Sequence, residues 1–96
     1  MEKRKSNRKL VNYMEELAAQ ELEHLLKRSP YVCGCPDCRE DIMAIALNHL
    51  PAKYSRTEAG AVYLKLQGLD GQIRADIAAE LEKAIEKVKR NPRHHD

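Results

Sequence analysis

The cysteines of this 96-residue chain are confined to one short stretch, YVCGCPDCR, as Cys33, Cys35 and Cys38. Thiolates at this spacing can bind one metal ion, because Gly34 and Pro36 allow the backbone to turn between them. Zinc is the expected ion, since it takes four tetrahedral ligands from cysteine and histidine. The spacing predicts a structural metal site first, redox or regulatory thiols second and inert cysteines third.

The fourth ligand of such a site is not fixed by the cysteine spacing. His24 lies near the end of the predicted helix before the cysteines, and we expect it to fold back onto the metal. His49 is excluded, because its helical separation from Cys38 is about 16 Å at 1.5 Å per residue. The other candidates are Asp37, a water molecule, and two histidines of the C-terminal stretch NPRHHD, His94 and His95.

A disulfide is disfavoured, because three cysteines leave one unpaired and an intracellular protein keeps its thiols reduced. The chain has no apolar run long enough for a signal peptide or a membrane span, so we expect a cytoplasmic location. Cys35 and Cys38 at a helix N-terminus would suit a redox pair, since the helix dipole lowers thiol pKa. The sequence lacks the βαβ pattern expected around such a pair.

Helices must position these residues. Apolar spacing predicts a first helix from about Ser6 to Arg28 and a second, apolar almost all round, from about Asp37 to Leu50. A last helix is expected from Asp70 to about Arg90. Residues 57–68 fit either a short helix capped by Thr57 or a strand. The fold class predicted is all-α: a small bundle of three or four helices with a cysteine-rich metal-binding loop.

The charge of the chain indicates whether nucleic acid is an expected partner. The chain has 17 basic and 15 acidic side chains, a formal net charge of +2, which is too balanced to predict nucleic-acid binding. The basic residues cluster at residues 1–8, which we expect to form a solvated arm with at most a weak phosphate contact.

The second and last helices carry more apolar surface than a chain of this length easily covers, so we expect a homodimer.

Three polar side chains interrupt the apolar faces. Glu21 projects into the apolar stripe of the first helix, and Asp41 and Asn48 form a narrow polar strip on the second. Each has an ordinary explanation, such as helix capping or an ion pair. Glu21 and His24 match half of a carboxylate metal site, which would need a second copy on other helices. With no Ser-His-Asp pattern, phosphate loop or H-E-x-x-H motif, an enzyme is not expected.

Three stretches together resemble the ComFB-type late competence protein family. LVNYMEELAAQELEHLL resembles the opening helix of the family, CGCPDCREDIMAIALNHLPAKY its central signature, and YLKLQGLDGQIRADIAAELEKAIEKV its closing helix. Within these stretches, ALNHLPAKY is the most specific part. The resemblance covers a ComFB-like helical domain at residues 9–92, which leaves the basic arm at 1–8 and a C-terminal tail at 93–96.

The resemblance implies a small, all-helical, dimeric and non-enzymatic bacterial protein. Some members are associated with late competence, and some are receptors for cyclic dinucleotide second messengers. Members with the cysteine cluster bind zinc. A fourth cysteine, found later in some of those members, is missing here, so the resemblance leaves the fourth zinc ligand open.

A cyclic dinucleotide, such as cyclic di-GMP or cyclic di-AMP, presents two phosphates and two purines. Its binding requires cations, a flat side chain and polar groups for the base edges. Arg56 is expected to clamp a phosphate, and Tyr54 to lie against a purine. The full set of candidate ligand-binding residues is Glu21, Asp41, Asn48, Lys53, Tyr54 and Arg56.

Three functional hypotheses result. The first is a signalling receptor that binds a cyclic dinucleotide and a protein partner. The second is a zinc-stabilised dimeric adaptor without a small-molecule ligand. The third is a thiol-based redox or metal enzyme.

Overall fold

Three helices, α1 (Met14–Arg28), α2 (Pro36–Leu47) and α4 (Gly71–Arg90), pack against one another in the computed structural model, which describes residues 10–90. The predicted arm at residues 1–8 and the tail at 93–96 lie outside this range. α2 lies between the other two in sequence and packs most extensively on α4. The all-α prediction is confirmed.

The core consists of apolar residues spaced three or four apart, which is the spacing that places side chains on one face of a helix. Ala18, Ala46 and Ala84, one from each packed helix, have no exposed surface, so each helix places a small residue in the core. The remaining core residues are Met14, Leu22, Leu25, Cys38, Ile42, Ile77, Leu81 and Val88. Cys38 is therefore part of the core as well as of the cysteine cluster.

The first helix begins later than its apolar spacing predicts. Residues Val11–Asn12 form a short strand, β1, that pairs antiparallel with β2 (Tyr54–Ser55). The side-chain oxygen of Asn12 accepts hydrogen bonds from the N–H groups of Met14 (3.1 Å) and Lys53 (2.7 Å). An asparagine side chain that binds backbone groups in this way competes with helical hydrogen bonds. Residues 10–13 are thus not helical as predicted, and α1 begins at Met14, while the predicted start at Ser6 lies outside the described residues.

A helix occupies most of residues 57–68, so the strand alternative is wrong. Helix α3 (Glu58–Gln67) begins after Thr57, whose hydroxyl accepts the N–H of Gly60 at 3.0 Å. Asp70 caps α4 in the same way, because its carboxylate accepts the N–H of Gln72 at 2.8 Å. Both caps agree with the predictions made from residue type.

The exposed apolar surface is not on the second and last helices, where the sequence predicted it. α2 and α4, from which a dimer was predicted, cover each other within one chain. Four of the eight large hydrophobic side chains exposed in residues 10–90 lie instead on α3 and just after it: Val62, Tyr63, Leu66 and Leu69, with exposed fractions of 57% to 75%. Among the helices described, none is both long and apolar enough to cross a membrane.

Candidate metal centre and neighbouring clefts

The sulfur atoms of Cys33, Cys35 and Cys38 lie within 4.8 Å of one another. Three thiolates around one zinc ion, each at about 2.3 Å, would have sulfurs about 3.8 Å apart in a tetrahedron. Small side-chain movements therefore suffice to bring the three sulfurs onto one ion. The donor set and its spacing fit a metal site, as the sequence predicted.

The start of α2 arranges two of these cysteines. Cys35 is the N-cap of α2, with Pro36 as the first helical residue, and its sulfur accepts the N–H of Cys38 at 3.4 Å. Proline is favoured at this position, since the first helical N–H groups have no partner within the helix. The positive end of the helix dipole also favours negative charge on nearby thiolates. The helix start thus fixes the positions of Cys35 and Cys38 relative to each other.

The three thiols differ in exposure. Cys33 is exposed, Cys35 is half-buried and Cys38 is only 1% exposed. Burial, with the neighbouring thiols of Cys33 and Cys35, raises the pKa of Cys38 to about 12. Without a cation, this thiol therefore holds its proton at neutral pH. A bound metal ion reverses that preference and releases the proton.

Arg39 holds the cysteine loop against α1. Its Nε donates a hydrogen bond to the carbonyl of Gly34 at 2.7 Å, and its guanidinium forms an ion pair with Glu23. Both side chains of the pair are partly exposed, so the pair itself contributes little to stability. Sequence reasoning missed this contact, although an arginine directly after the last cysteine was its visible signal.

His24, the predicted fourth ligand, does not lie with the three sulfur atoms. Among residues 10–90, the group of potential metal ligands around this centre consists of the cysteines alone. His24 is exposed on α1 and lines a separate cleft of about 190 Å³. The same cleft contains Glu21, whose side chain is 12% exposed and lies 3.7 Å from the Nε atom of Arg74. Glu21 thus has the ordinary explanation, an ion pair with a cation.

Arg56 lies in a groove of about 720 Å³ between the start of α1 and α3. The groove also contains the ring of Tyr13 and a second cation, Lys65, whose Nζ lies 5.8 Å from the centre of that ring. Its other lining residues are Val11, Thr57, Glu58, Ala61 and Val62. The volume is within the range of small-molecule sites, roughly 300–1,000 Å³.

The other candidate ligand residues lie at various distances from this groove. Tyr54 is on β2, two residues before Arg56, and is 59% exposed, and Lys53 directly precedes the strand and is half-buried. Asp41 is half-buried in α2, and Asn48 is exposed at its C-cap. Asp41, Asn48 and Glu21 are absent from the groove lining, so their assignment to the ligand stays a prediction. Sequence reasoning missed Tyr13 and Lys65, because three separate elements bring them to Arg56.

Comparisons with known proteins agree with this architecture. A family model described as late competence development protein ComFB matches residues 11–92. The solved structure of the late competence protein ComFB from Bacillus subtilis superposes with a TM-score of 0.78. It is 24% identical, and the match covers 88% of this chain and 92% of that one. No curated protein sequence matches this chain.

Proposed function

The chain belongs to the ComFB family of late competence development proteins, and on this premise we propose that it is a non-enzymatic regulatory protein. Its ligand is a cyclic dinucleotide second messenger, bound in the groove that contains Arg56. It also binds a protein partner and acts in the cytoplasm. The observation that carries the proposal is that two cations and an aromatic ring, Arg56, Lys65 and Tyr13, line the same groove.

The chemistry of the groove suits a ligand with two phosphates. A guanidinium holds two phosphate oxygens at once, which is the role we assign to Arg56. Lys65 lies 4.0 Å from Glu16 on the exposed surface, and such a pair contributes little. Lys65 is thus able to turn to a phosphate at small cost. The two cations can neutralise the two phosphates.

Aromatic side chains supply the surfaces for the purines. Base–aromatic stacking contributes about 1–3 kcal/mol per base. Tyr13 lines the groove, and Tyr54 is exposed on the strand next to it. We assign Tyr13 to one purine, and we assign Tyr54 either to the second purine or to closing the groove. Lys53 contributes through its backbone, which fixes the strand to Asn12 and Tyr13.

We further propose that the cysteines hold a structural zinc ion. Cys33, Cys35 and Cys38 lie in the connection between α1 and α2, and Cys38 also packs in the core. A metal at this point joins the loop to the core, and its binding free energy adds to the stability of a small domain. The zinc site and the nucleotide groove are lined by different residues.

A homodimer is the proposed assembly, with α3 as its contact surface. The exposed face of α3 carries Val62, Tyr63 and Leu66, and Val62 also lines the groove. A dimer formed through this face would therefore place two grooves near its two-fold axis. A cyclic dinucleotide has the same symmetry, so one ligand could contact both chains.

The alternative function is a zinc-stabilised dimeric adaptor without a small-molecule ligand. The exposed apolar side chains on α3 favour it, because apolar patches of this kind mark protein contacts. In this case the groove would contact a protein partner.

Calorimetry with cyclic di-GMP and cyclic di-AMP separates the two functions. We expect the wild-type protein to bind one or both, and Arg56→Ala to weaken binding about ten- to a hundred-fold, since a charge-assisted contact contributes about 1.5–3 kcal/mol. Arg28→Ala is the matched control, because Arg28 lies at the opposite end of α1 from Tyr13, about 22 Å away at 1.5 Å per residue. If the wild-type protein binds neither nucleotide, the cyclic dinucleotide proposal is wrong and the adaptor function takes its place.

A further inference from the structure

We propose that Glu58 reads the base of the ligand in the groove that contains Arg56, and that its carboxylate selects guanine over adenine. This inference rests on the cyclic dinucleotide function proposed above, and it adds the residue that distinguishes one purine from the other. A cyclic dinucleotide needs cations for its phosphates, a flat side chain for a base face and polar atoms for a base edge. Arg56, Lys65 and Tyr13 supply the first two.

Glu58 is the side chain of this groove that suits a base edge. Among the described residues that line the groove, it carries the only carboxylate, and none is an asparagine or a glutamine. The three side chains to which the sequence assigned this role do not line the groove. Thr57 does line it, but its hydroxyl already accepts the N–H of Gly60 at 3.0 Å. Glu58 is therefore the charged acceptor available to a base.

Glu58 lies on the same face of α3 as Lys65. The two residues are seven apart, which is two helical turns, or about 10 Å along the axis at 1.5 Å per residue. Ala61 and Val62 lie between them on this face and also line the groove. Arg56 precedes Glu58 by two residues, a span of at most about 7 Å. One dinucleotide can thus reach the carboxylate and both cations.

The Glu58 carboxylate is exposed and ready to accept hydrogen bonds from a ligand. Within residues 10–90, no hydrogen bond or ion pair occupies it, so no partner has to be displaced. An acidic residue also suits the first turn of a helix. In a groove for a ligand with two phosphates, however, a negative charge opposes binding unless the ligand presents donors to it. The base must therefore supply those donors.

Guanine supplies them and adenine does not. The Watson–Crick edge of guanine carries two adjacent donors, N1–H and the N2 amino group, which the two oxygens of a carboxylate can accept together. The same edge of adenine places one donor, the N6 amino group, beside the N1 lone pair, which a carboxylate repels. Adenine is matched instead by an amide side chain, which both donates and accepts. The chemistry of Glu58 thus fits guanine.

Calorimetry of the full chain with cyclic di-GMP and cyclic di-AMP tests this preference. We expect the wild-type protein to bind cyclic di-GMP more tightly by about 5- to 150-fold, the range expected for one good bidentate contact. Glu58→Gln replaces one acceptor oxygen by a donor, so it should weaken cyclic di-GMP binding and strengthen cyclic di-AMP binding. The ratio of the two dissociation constants should change by at least about tenfold.

Cyclic di-IMP isolates the contact with the guanine amino group. Its bases keep N1–H but lack the 2-amino group, so the wild-type protein should bind it more weakly than cyclic di-GMP. Glu58→Ala should bind the two alike, because the acceptor of that amino group is gone. Comparing residue and ligand changes in this way measures the single contact between them. A difference as large in Glu58→Ala as in the wild type would overturn the inference.

Glu82→Gln is the matched control variant. Glu82 is exposed on α4 and is not among the described residues that line the groove. This change should leave the affinities for all three nucleotides unaltered. The melting temperatures of the unliganded variants serve as the folding control, because removing charge from the first turn of α3 can weaken that helix.

The outcomes separate the inference from the proposed function. If the wild-type protein binds both nucleotides equally, or if Glu58→Gln keeps the wild-type preference, Glu58 does not select guanine, but the nucleotide function stands. If the wild-type protein binds none of the three nucleotides, the proposed function and the inference both fail. If Arg56→Ala weakens all three by a similar factor and Glu58→Gln changes their order, the phosphate clamp and the base reader are separate residues, as proposed.

Discussion

Asn12 and Lys53, 41 residues apart in sequence, are joined by a hydrogen bond of 2.7 Å from the Lys53 N–H to the Asn12 side-chain oxygen. The carbonyl of Lys53 in turn accepts the N–H of Tyr13 at 2.7 Å. These bonds hold the start of α1 against the connector that leads to Arg56. The start of α1 and the connector that carries Arg56, which both contribute residues to the proposed nucleotide groove, are therefore fixed to each other.

Asn12→Ala should destabilise the protein. The change removes one acceptor from two part-buried N–H groups, of Met14 and Lys53. Leaving such groups without a partner costs about 1–3 kcal/mol. Urea unfolding measures the loss, with Asn48→Ala as the control, because Asn48 is exposed and surface changes usually stay within about 0.5 kcal/mol. Equal midpoints for the two variants would show that the Asn12 contacts do not stabilise the fold.

Two glycines beside the last two helices should respond to alanine in opposite ways. A Cβ atom on Gly68 would lie 2.5 Å from a methyl carbon of Leu17 and 3.2 Å from the carbonyl oxygen of Lys65. We expect Gly68→Ala to cost about 1–3 kcal/mol, as overpacking usually does. At Gly71, the first residue of α4, a Cβ atom meets nothing within 4 Å.

Gly71→Ala should therefore stabilise the protein, by about 0.4–1 kcal/mol, since alanine reduces the entropy of the unfolded chain. Thermal unfolding of both variants is the measurement. A Gly68→Ala variant that unfolds like the wild type would contradict the close contact between Gly68 and Leu17, and a destabilised Gly71→Ala variant would contradict the open surroundings of Gly71.

The helices were predictable because their signals are local. Apolar spacing gives α2 and α4 to within a few residues, and Thr57 and Asp70 mark helix starts by residue type alone. The cysteine cluster was predictable for the same reason, since a six-residue stretch contains it. The start of α1 was not, because it depends on a bond between Asn12 and a residue 41 positions away.

The surroundings of single side chains were the least predictable part. The periodicity of α1 placed Glu21 in the apolar stripe, but its partner, Arg74, comes from α4. The Arg56 groove likewise combines residues from the start of α1, from the connector and from α3. Local sequence does not encode which turns of different helices meet, so these arrangements required the tertiary structure.

Thiol alkylation of the metal-free protein should follow the order of exposure. The thiolate is the reactive form, so a raised pKa lowers the reactive fraction at a given pH. Cys33 is exposed and should react first, whereas Cys38 is buried, with a pKa raised to about 12, and should react last. Raising the pH should speed the Cys38 reaction throughout the range below that pKa.

Mass spectrometry of timed iodoacetamide reactions at pH 7 and pH 9 measures this order. Zinc added beforehand should slow all three reactions, because it occupies the sulfur lone pairs. If Cys38 reacts as fast as Cys33 in folded metal-free protein, its burial in the core is wrong. If zinc protects none of the three, they do not bind it.

Arg39→Ala should weaken metal binding without unfolding the protein. Arg39 fixes the carbonyl of Gly34, which lies between two of the proposed metal ligands, and residues that orient ligands are worth about 10- to 100-fold in affinity. Its ion pair with Glu23 is partly exposed, so the melting temperature of metal-free protein should change little. Competition with a chromophoric chelator gives the zinc affinity, and Arg28→Ala is the control. An unchanged zinc affinity in Arg39→Ala would show that the cysteine loop keeps its conformation without the hydrogen bond from Arg39.

The central claim is that a cyclic dinucleotide binds in the Arg56 groove, and amide chemical-shift mapping of the zinc-loaded protein tests it most directly. Saturating cyclic di-GMP or cyclic di-AMP should shift the amide signals of Tyr13, Arg56 and Lys65, and leave those of Cys33 to Arg39 in place. In Arg56→Ala the same shifts should require about ten- to a hundred-fold more ligand. Shifts confined to the cysteine loop, or none with either nucleotide, would contradict the account.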